Sequence, residues 1–322
     1  MSAERAVTKI EASVGLKSRK PRKSSSGVSD SSAIGRNRWI PYLFSAPSII
    51  LVSIILAYPV LWGIVQSLFR KQKLLSPLEF VGFQNYIDMF SRLSFWDSLA
   101  KTGIFVGGCL ALGTSLGLIF AFALNRALGA MRFLRAVTIA PYIVSSVAAA
   151  IMFRILFNGD FGPLNRILQF FGLSGLPWLS NATLAMVVVI VAQVWTDLPL
   201  TVLLVLAGLQ AIDKSYLEAA LVDGASGLQR AKHITLPLLS PQIAISIIWQ
   251  SYSTLTGLGV VLALTGGGPL KGTQILPIEM YNTAFISLKQ NEALAIGTVI
   301  LVLNALLTLI YLRLSKGYGA ED

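Results

Sequence analysis

Six apolar stretches, each long enough to cross a bilayer as a helix, constrain this chain more than any other feature. About 20 helical residues cross a hydrocarbon layer roughly 30 Å thick. The stretches run approximately from Tyr42 to Leu68, Leu99 to Leu124, Phe133 to Phe157, Ala182 to Leu206, Leu238 to Leu264 and Ala293 to Leu314. A transmembrane barrel would need alternating apolar and polar residues. In ATLAMVVVIVAQV, from Ala182 to Val194, only Thr183 and Gln193 interrupt an apolar surface, so helices are expected. The predicted fold is therefore an all-α integral membrane protein with six transmembrane helices. With 54% hydrophobic and 13% charged residues, the composition excludes a disordered chain. A single cysteine, Cys109, excludes a disulfide scaffold.

The formal charge of +11 raises the possibility of a nucleic-acid partner, but its distribution does not support one. Nine of the 26 lysines and arginines fall within the first 38 residues. That segment has almost no apolar cluster to offset the entropy of ordering it. It reads as a basic, disordered tail (1–38) ahead of a six-helix membrane domain (39–322), and topology retention or contact with anionic lipid suits it better than nucleic acid. The apolar run that follows is too long for a cleaved leader. Lysine and arginine counts set the orientation, because cationic loops translocate poorly. With the tail, the 126–135 and 207–237 loops and the C-terminus on the cytoplasmic side, that side holds 17 basic residues against 9 outside. Both termini are then cytoplasmic.

An ionisable group inside a span is costly unless the fold uses it. Asp197, in QVWTDLPL, is the one acidic residue deep in an apolar stretch. It shares that neighbourhood with Gln193, Trp195 and Thr196, and Pro199 loosens the helix. Trp249, Gln250, Tyr252, Ser253 and Thr256 on the fifth stretch combine aromatic faces with amide and hydroxyl groups, which suits sugar recognition by stacking and hydrogen bonding. These residues are candidates for a translocation pathway. A structural carboxylate at a kink, beside packed aromatics, would use the same residues. Gly113, Gly117, Ser145 and Ser146 offer small faces for close helix packing.

Between the fourth and fifth stretches, at about 207–237, lies LAGLQAIDKSYLEAALVDGASGLQRAKHITLPLLSP. It is too long for a plain connection and too helix-prone to be slack. Asp213 is placed to cap a helix through Lys214 and Ala220, Gly224 permits a turn, and a second helical stretch is expected from about Ser226 to Ile234.

The loop resembles the membrane subunits of bacterial binding-protein-dependent ATP-binding-cassette importers of the carbohydrate-uptake type. Three blocks carry the likeness at the family's spacing: Glu218-Ala219-Ala220, Asp223-Gly224-Ala225, and Ile234 with Leu236 and Pro237. Further similarity lies in FVGFQNYIDMF, in LFNGDFGPLN, in LPWLSN, and in LTGGGP from Leu264 to Pro269. Where the family often has aromatics this chain has Leu228 and Ala231, and an aromatic-acid pair before the glycine run is replaced by Leu258 and Gly259. The resemblance implies a permease that moves a sugar or related solute inward by alternating access. It also implies a non-identical second permease subunit, an ABC ATPase dimer seated on the loop as a coupling helix, and an extracytoplasmic solute-binding protein. ATP and Mg would belong to the ATPase, with no cofactor, metal site or catalytic residue on this chain.

Other functions fit the residues less well. TGGGPLKGT is no phosphate loop, because Lys271 precedes Gly272 and Thr273 instead of leading into a helix as Gly-Lys-Ser/Thr. An ion-coupled secondary carrier, the alternative, commonly needs several ionisable groups in its spans, and only Asp197 lies deep. An embedded enzyme would need clustered nucleophiles or ligands. His233, the sole histidine, lies in the loop, and Cys109 lies in an apolar run.

Overall fold

A computed structural model describes residues 40–71, 77–126 and 131–316. The basic tail, and the 127–130 part of the cationic turn, lie outside the described residues. The chain divides after Tyr58. In the first unit, Ile40–Val52 forms helix α1, followed by a π-helical turn over Ser53–Ala57. Helix α2 is Tyr58–Gln66, and all but its first residue belongs to the second unit.

In the second unit, strands β1 (Phe69–Lys71) and β2 (Leu78–Phe80) pair antiparallel, and a short helix α3 (Gln84–Phe90) follows. Asn85, almost fully buried, ties these pieces together: its Nδ2 donates to the carbonyls of Ser67 and Phe69, and its Oδ1 accepts from Arg70 Nε. The long helices come next, in the order α4 (Leu93–Arg126), α5 (Met131–Ile143), α6 (Ser146–Leu156), α7 (Pro163–Phe170) and α8 (Ala182–Ala211). Helices α9 (Lys214–Val222) and α10 (Gly227–Arg230) form the predicted loop. The chain continues through α11 (Ser240–Thr256), α12 (Gly259–Leu264), α13 (Leu276–Tyr281) and α14 (Gln290–Lys316).

Four helical segments are long and apolar enough to cross a membrane: Phe44–Gln66, Leu93–Asn125, Ala182–Ala211 and Gln290–Arg313. The third and fifth expected spans are broken. Val137–Ile143 and Ser146–Leu156 meet at 112°. Pro141 has no amide proton to continue the helical ladder, and Ser145 is extended (φ −56°, ψ 139°). The fifth stretch stops at Gly257 (φ −71°, ψ 94°), where a Cβ would collide with the Ser253 carbonyl, and resumes as α12. Both breaks lie inside runs whose length and mean hydropathy match a single span.

Helices α4 and α8 form the spine. A Cβ on Gly108 would sit 2.7 Å from Ile190 Cδ1, and one on Gly117 would collide with Thr201, so these glycines let the two backbones approach closely. Around this pair Phe105, Cys109, Phe153, Val188, Val189, Val261 and Ile278 form one buried cluster, and Ala121, Val202, Val205 and Leu239 form another. Helix α13 is fastened to α4 by the amide of Leu276, which donates to Thr102 Oγ1 at 2.9 Å.

Candidate functional site

A cavity of about 320 Å³ with polar groups in its wall opens where both broken stretches face α8. The break between α5 and α6 contributes Tyr142 and Ser146. Helix α8 contributes Gln193, Thr196 and Asp197, and α11 contributes Trp249, Tyr252, Ser253 and Thr256. Gln193 and Asp197 share a face because they lie one helical turn apart. Gln193 Nε2 donates to Asp197 Oδ2 at 2.9 Å and to Ser253 Oγ at 3.3 Å, and Ser253 Oγ donates to Asp197 Oδ1 at 2.9 Å. Both carboxyl oxygens thus accept a hydrogen bond, which offsets much of the cost of placing the group within a span. Among the described residues that line this cavity there is no lysine, arginine or histidine. The Trp249 and Tyr252 rings stand 6.2 Å apart and inclined by 41°, and Trp249 Nε1 is buried without an acceptor among the described residues.

The segment from Asp213 to Pro237 forms a compact helical elbow. Asp213 caps α9, with its Oδ1 accepting from the Ser215 amide at 2.9 Å. That amide and the Ser215 hydroxyl hold the Asp213 carboxyl below the usual range. Gly224, at φ +77°, makes the reversal, and the Ala225 amide returns to the Ala220 carbonyl at 2.9 Å. Ser226 and Gln229 then form a reciprocal capping box at the start of α10. A π-helical turn, Ala231–Thr235, leads to Pro237. Caps come from Asp213 and Ser226, so the carboxylates of Glu218 and Asp223 are left exposed and make no ion pair among the described residues. Val222 is 88% exposed and Leu228 is 79% exposed, on either side of the Gly224 turn.

Residues 113–319 match the family described as binding-protein-dependent transport system inner membrane component. The chain belongs to that family. The permease is 34% identical over 284 residues to the trehalose/maltose transport system permease protein MalF of Thermococcus litoralis, covering 87% of this chain and 95% of that one. It is also 34% identical over 285 residues to the sn-glycerol-3-phosphate transport system permease protein UgpA of Agrobacterium fabrum, covering 88% and 96%. In fold it is similar to a chain of a bacterial alginate ABC transporter solved with an alginate pentasaccharide-bound periplasmic protein, with a TM-score of 0.75 at 21% identity, covering 88% and 96%. As a membrane component of a transport system, the permease is a transport subunit and not an enzyme.

Of the pathway residues expected from the sequence, the structure brings Gln193, Asp197, Trp249, Tyr252 and Ser253 to one cavity. Gln250 and Trp195 stand elsewhere. Gln250, 2% exposed, turns toward α4, where its Nε2 donates to Thr114 Oγ1 at 3.3 Å and its side chain fills the space over Gly113. Trp195 packs edge-on against Phe153. Tyr142 and Ser146 were not anticipated as lining residues. Their signal was Pro141 and the serine pair inside an apolar run, a mark of broken helix as much as of close packing.

Within the elbow, Glu218, Ala219, Asp223, Gly224 and Leu236 are exposed, Ala225, Ile234 and Pro237 are half-buried, and Ala220 is buried. A second cavity, about 750 Å³, lies among the loops after α6 and α12, lined by Arg154, Asp160, Asn165, Trp178, Thr265 and Pro269. It is larger than the cavity at Asp197 but lies away from that side-chain network. The glycine run beside it folds back on itself: Thr273 Oγ1 donates to the Gly268 carbonyl at 2.7 Å, and no helix begins until Leu276.

Proposed function

We infer that the permease imports a carbohydrate or related hydroxyl-rich solute, with the cavity at Asp197 as its share of the pathway and the Asp213–Pro237 elbow as its coupling segment to an ABC ATPase dimer. The observation that carries this reading is the free surface of the elbow. Two acids that do not cap their own helices, Glu218 and Asp223, precede a glycine turn bordered by two exposed apolar knobs, Val222 and Leu228. An apolar anchor with charged groups at its rim suits docking into a groove of a partner. Ala220 shapes the elbow from inside, while Glu218, Asp223 and Gly224 meet the partner.

The solute class follows the relatives, whose names specify trehalose, maltose and glycerol phosphate. The cavity's hydroxyl, amide and aromatic groups suit such a cargo. Gln193, Asp197, Trp249, Tyr252 and Ser253 line the pathway, together with Tyr142 and Ser146. A second permease supplies the facing wall, and a solute-binding protein delivers cargo at the end bearing the Asn165 loops. ATP and Mg reside on the ATPase, whose closure favours one arrangement of the helices over another. Both termini and the elbow are cytoplasmic, with residues 1–38 forming a tail and 39–322 the membrane domain.

Cysteine at Val222 or Leu228, in a Cys109→Ser background, tests the assignment in the intact assembly. A bifunctional thiol reagent is expected to join this chain to the ATPase from both positions. Failure at both, with the assembly intact, would refute the coupling role.

A further inference from the structure

The cavity at Asp197 carries a charge imbalance that bears on what can pass. Among the described lining residues Asp197 is the one with a carboxyl group, and no lysine, arginine or histidine is present to neutralise it. Two side chains donate to its carboxyl group: Gln193 to Oδ2 and Ser253 to Oδ1, with Gln193 also donating to Ser253. Two side chains therefore hold the Asp197 carboxyl in place at the cavity wall, with no cation beside it among the described lining residues.

Resting on the pathway reading above, we propose that Asp197 makes this cavity a charge filter, which admits uncharged, hydroxyl-rich solutes and excludes anions. A neutral polyol gives up its water and regains hydrogen bonds by donating to Asp197 and to the hydroxyls of Thr196 and Thr256, whose own protons go to the Gln193 and Tyr252 carbonyls. A phosphate, sulfonate or carboxylate in the same place meets a like charge across a few ångströms of poorly screened space. Asp197 is then the specificity-determining residue on this side of the pathway. By this criterion the cargo resembles the neutral trehalose and maltose named for one relative and not the anionic glycerol phosphate named for the other.

The filter is testable without knowing the cargo. Thr256, exposed on the cavity wall, is replaced by cysteine in a Cys109→Ser background of the assembled importer, with Ser146→Cys as a second position. Each is treated with a cationic trimethylammonioethyl methanethiosulfonate or an anionic sulfonatoethyl methanethiosulfonate. Labelling is followed by the mass of this chain, with rates divided by those of a free thiol. The cationic reagent is expected to react faster, and Asp197→Asn is expected to reduce that preference by about tenfold, the scale of a close pair of unit charges in a wet cavity. A preference indifferent to Asp197→Asn, or one favouring the anion, overturns the filter while leaving the pathway standing. Failure of both reagents at both positions shows a cavity closed to water and overturns the pathway along with the filter.

Discussion

Trp178 donates its indole Nε1–H to Asn165 Oδ1 at 2.8 Å, joining the loop that follows α7 to the helix itself. The same Asn165 oxygen accepts the Leu176 amide at 3.0 Å, and its Nδ2 donates to the carbonyls of Gly159 and Leu176. One side chain, 3% exposed, therefore satisfies four partners in a segment with little secondary structure.

Replacing Asn165 by leucine leaves those partners unsatisfied and is expected to cost roughly 2–4 kcal/mol of local stability. Asn165→Asp keeps the acceptor for Trp178 and Leu176 but loses both donated bonds, so it falls between. Limited proteolysis of the 158–180 region in the purified assembly would rank the three proteins. Equal cleavage rates would contradict the assigned role.

Close approach of α4 and α8 makes a second expectation. A methyl group at Gly117 meets the fully buried Thr201 side chain, whereas one at Gly107 meets nothing within 4 Å. Gly117→Ala should destabilise by about 1–3 kcal/mol through overpacking, and Gly107→Ala should be nearly neutral. The difference is read as the shift in thermal aggregation midpoint in detergent.

The pH dependence of stability should carry a contribution from Glu279, which lies between the fifth and sixth expected spans. Burial raises its carboxyl above the ordinary glutamate range despite a hydrogen bond from Ser98 and the positive fields of Arg92 and Lys271, and Asp97 adds to the rise. Its Oε2 is buried without a hydrogen-bond partner among the described residues. Because the folded protein holds this proton more tightly than the unfolded chain, the contribution is fully present below the unfolded pKa of about 4.3. It is lost as pH rises from there through the folded value. Glu279→Gln should flatten that part of a melting-temperature profile and stabilise the protein at neutral pH. A profile parallel to wild type would exclude Glu279 as the source.

Trp249 gives the fourth expectation. Its unsatisfied indole N–H costs stability in this arrangement, while its ring contributes packing area, so Trp249→Phe should leave the melting temperature nearly unchanged. Uptake by the importer should nevertheless fall several-fold, because an N–H idle in one arrangement of an alternating-access protein finds its acceptor in another. Unimpaired uptake would place Trp249 among the packing residues.

Much of this was legible in the sequence. The elbow was readable because Asp213, Gly224 and Ser226 act through local rules of capping and turning that need no tertiary context. The apolar stretches were equally plain, since length and hydropathy identify a span whatever it packs against. The interruptions at Ser145 and Gly257 were harder to read, because a hydropathy window averages over one extended residue. Rotation about a helix axis was not readable at all. Trp249 and Gln250 are neighbours in sequence, yet one lines the cavity and the other fills the groove over Gly113. Only the contact between α4 and α11 decides which faces where.

The bend at Ser145 has one more consequence. A main chain that abandons its helix part-way through a bilayer strands peptide groups at a depth where oil offers them nothing, and such groups persist only beside other protein or water. The kinked third span therefore marks where the permease must set other protein or water against its own backbone, whatever side chains a given cargo requires around it.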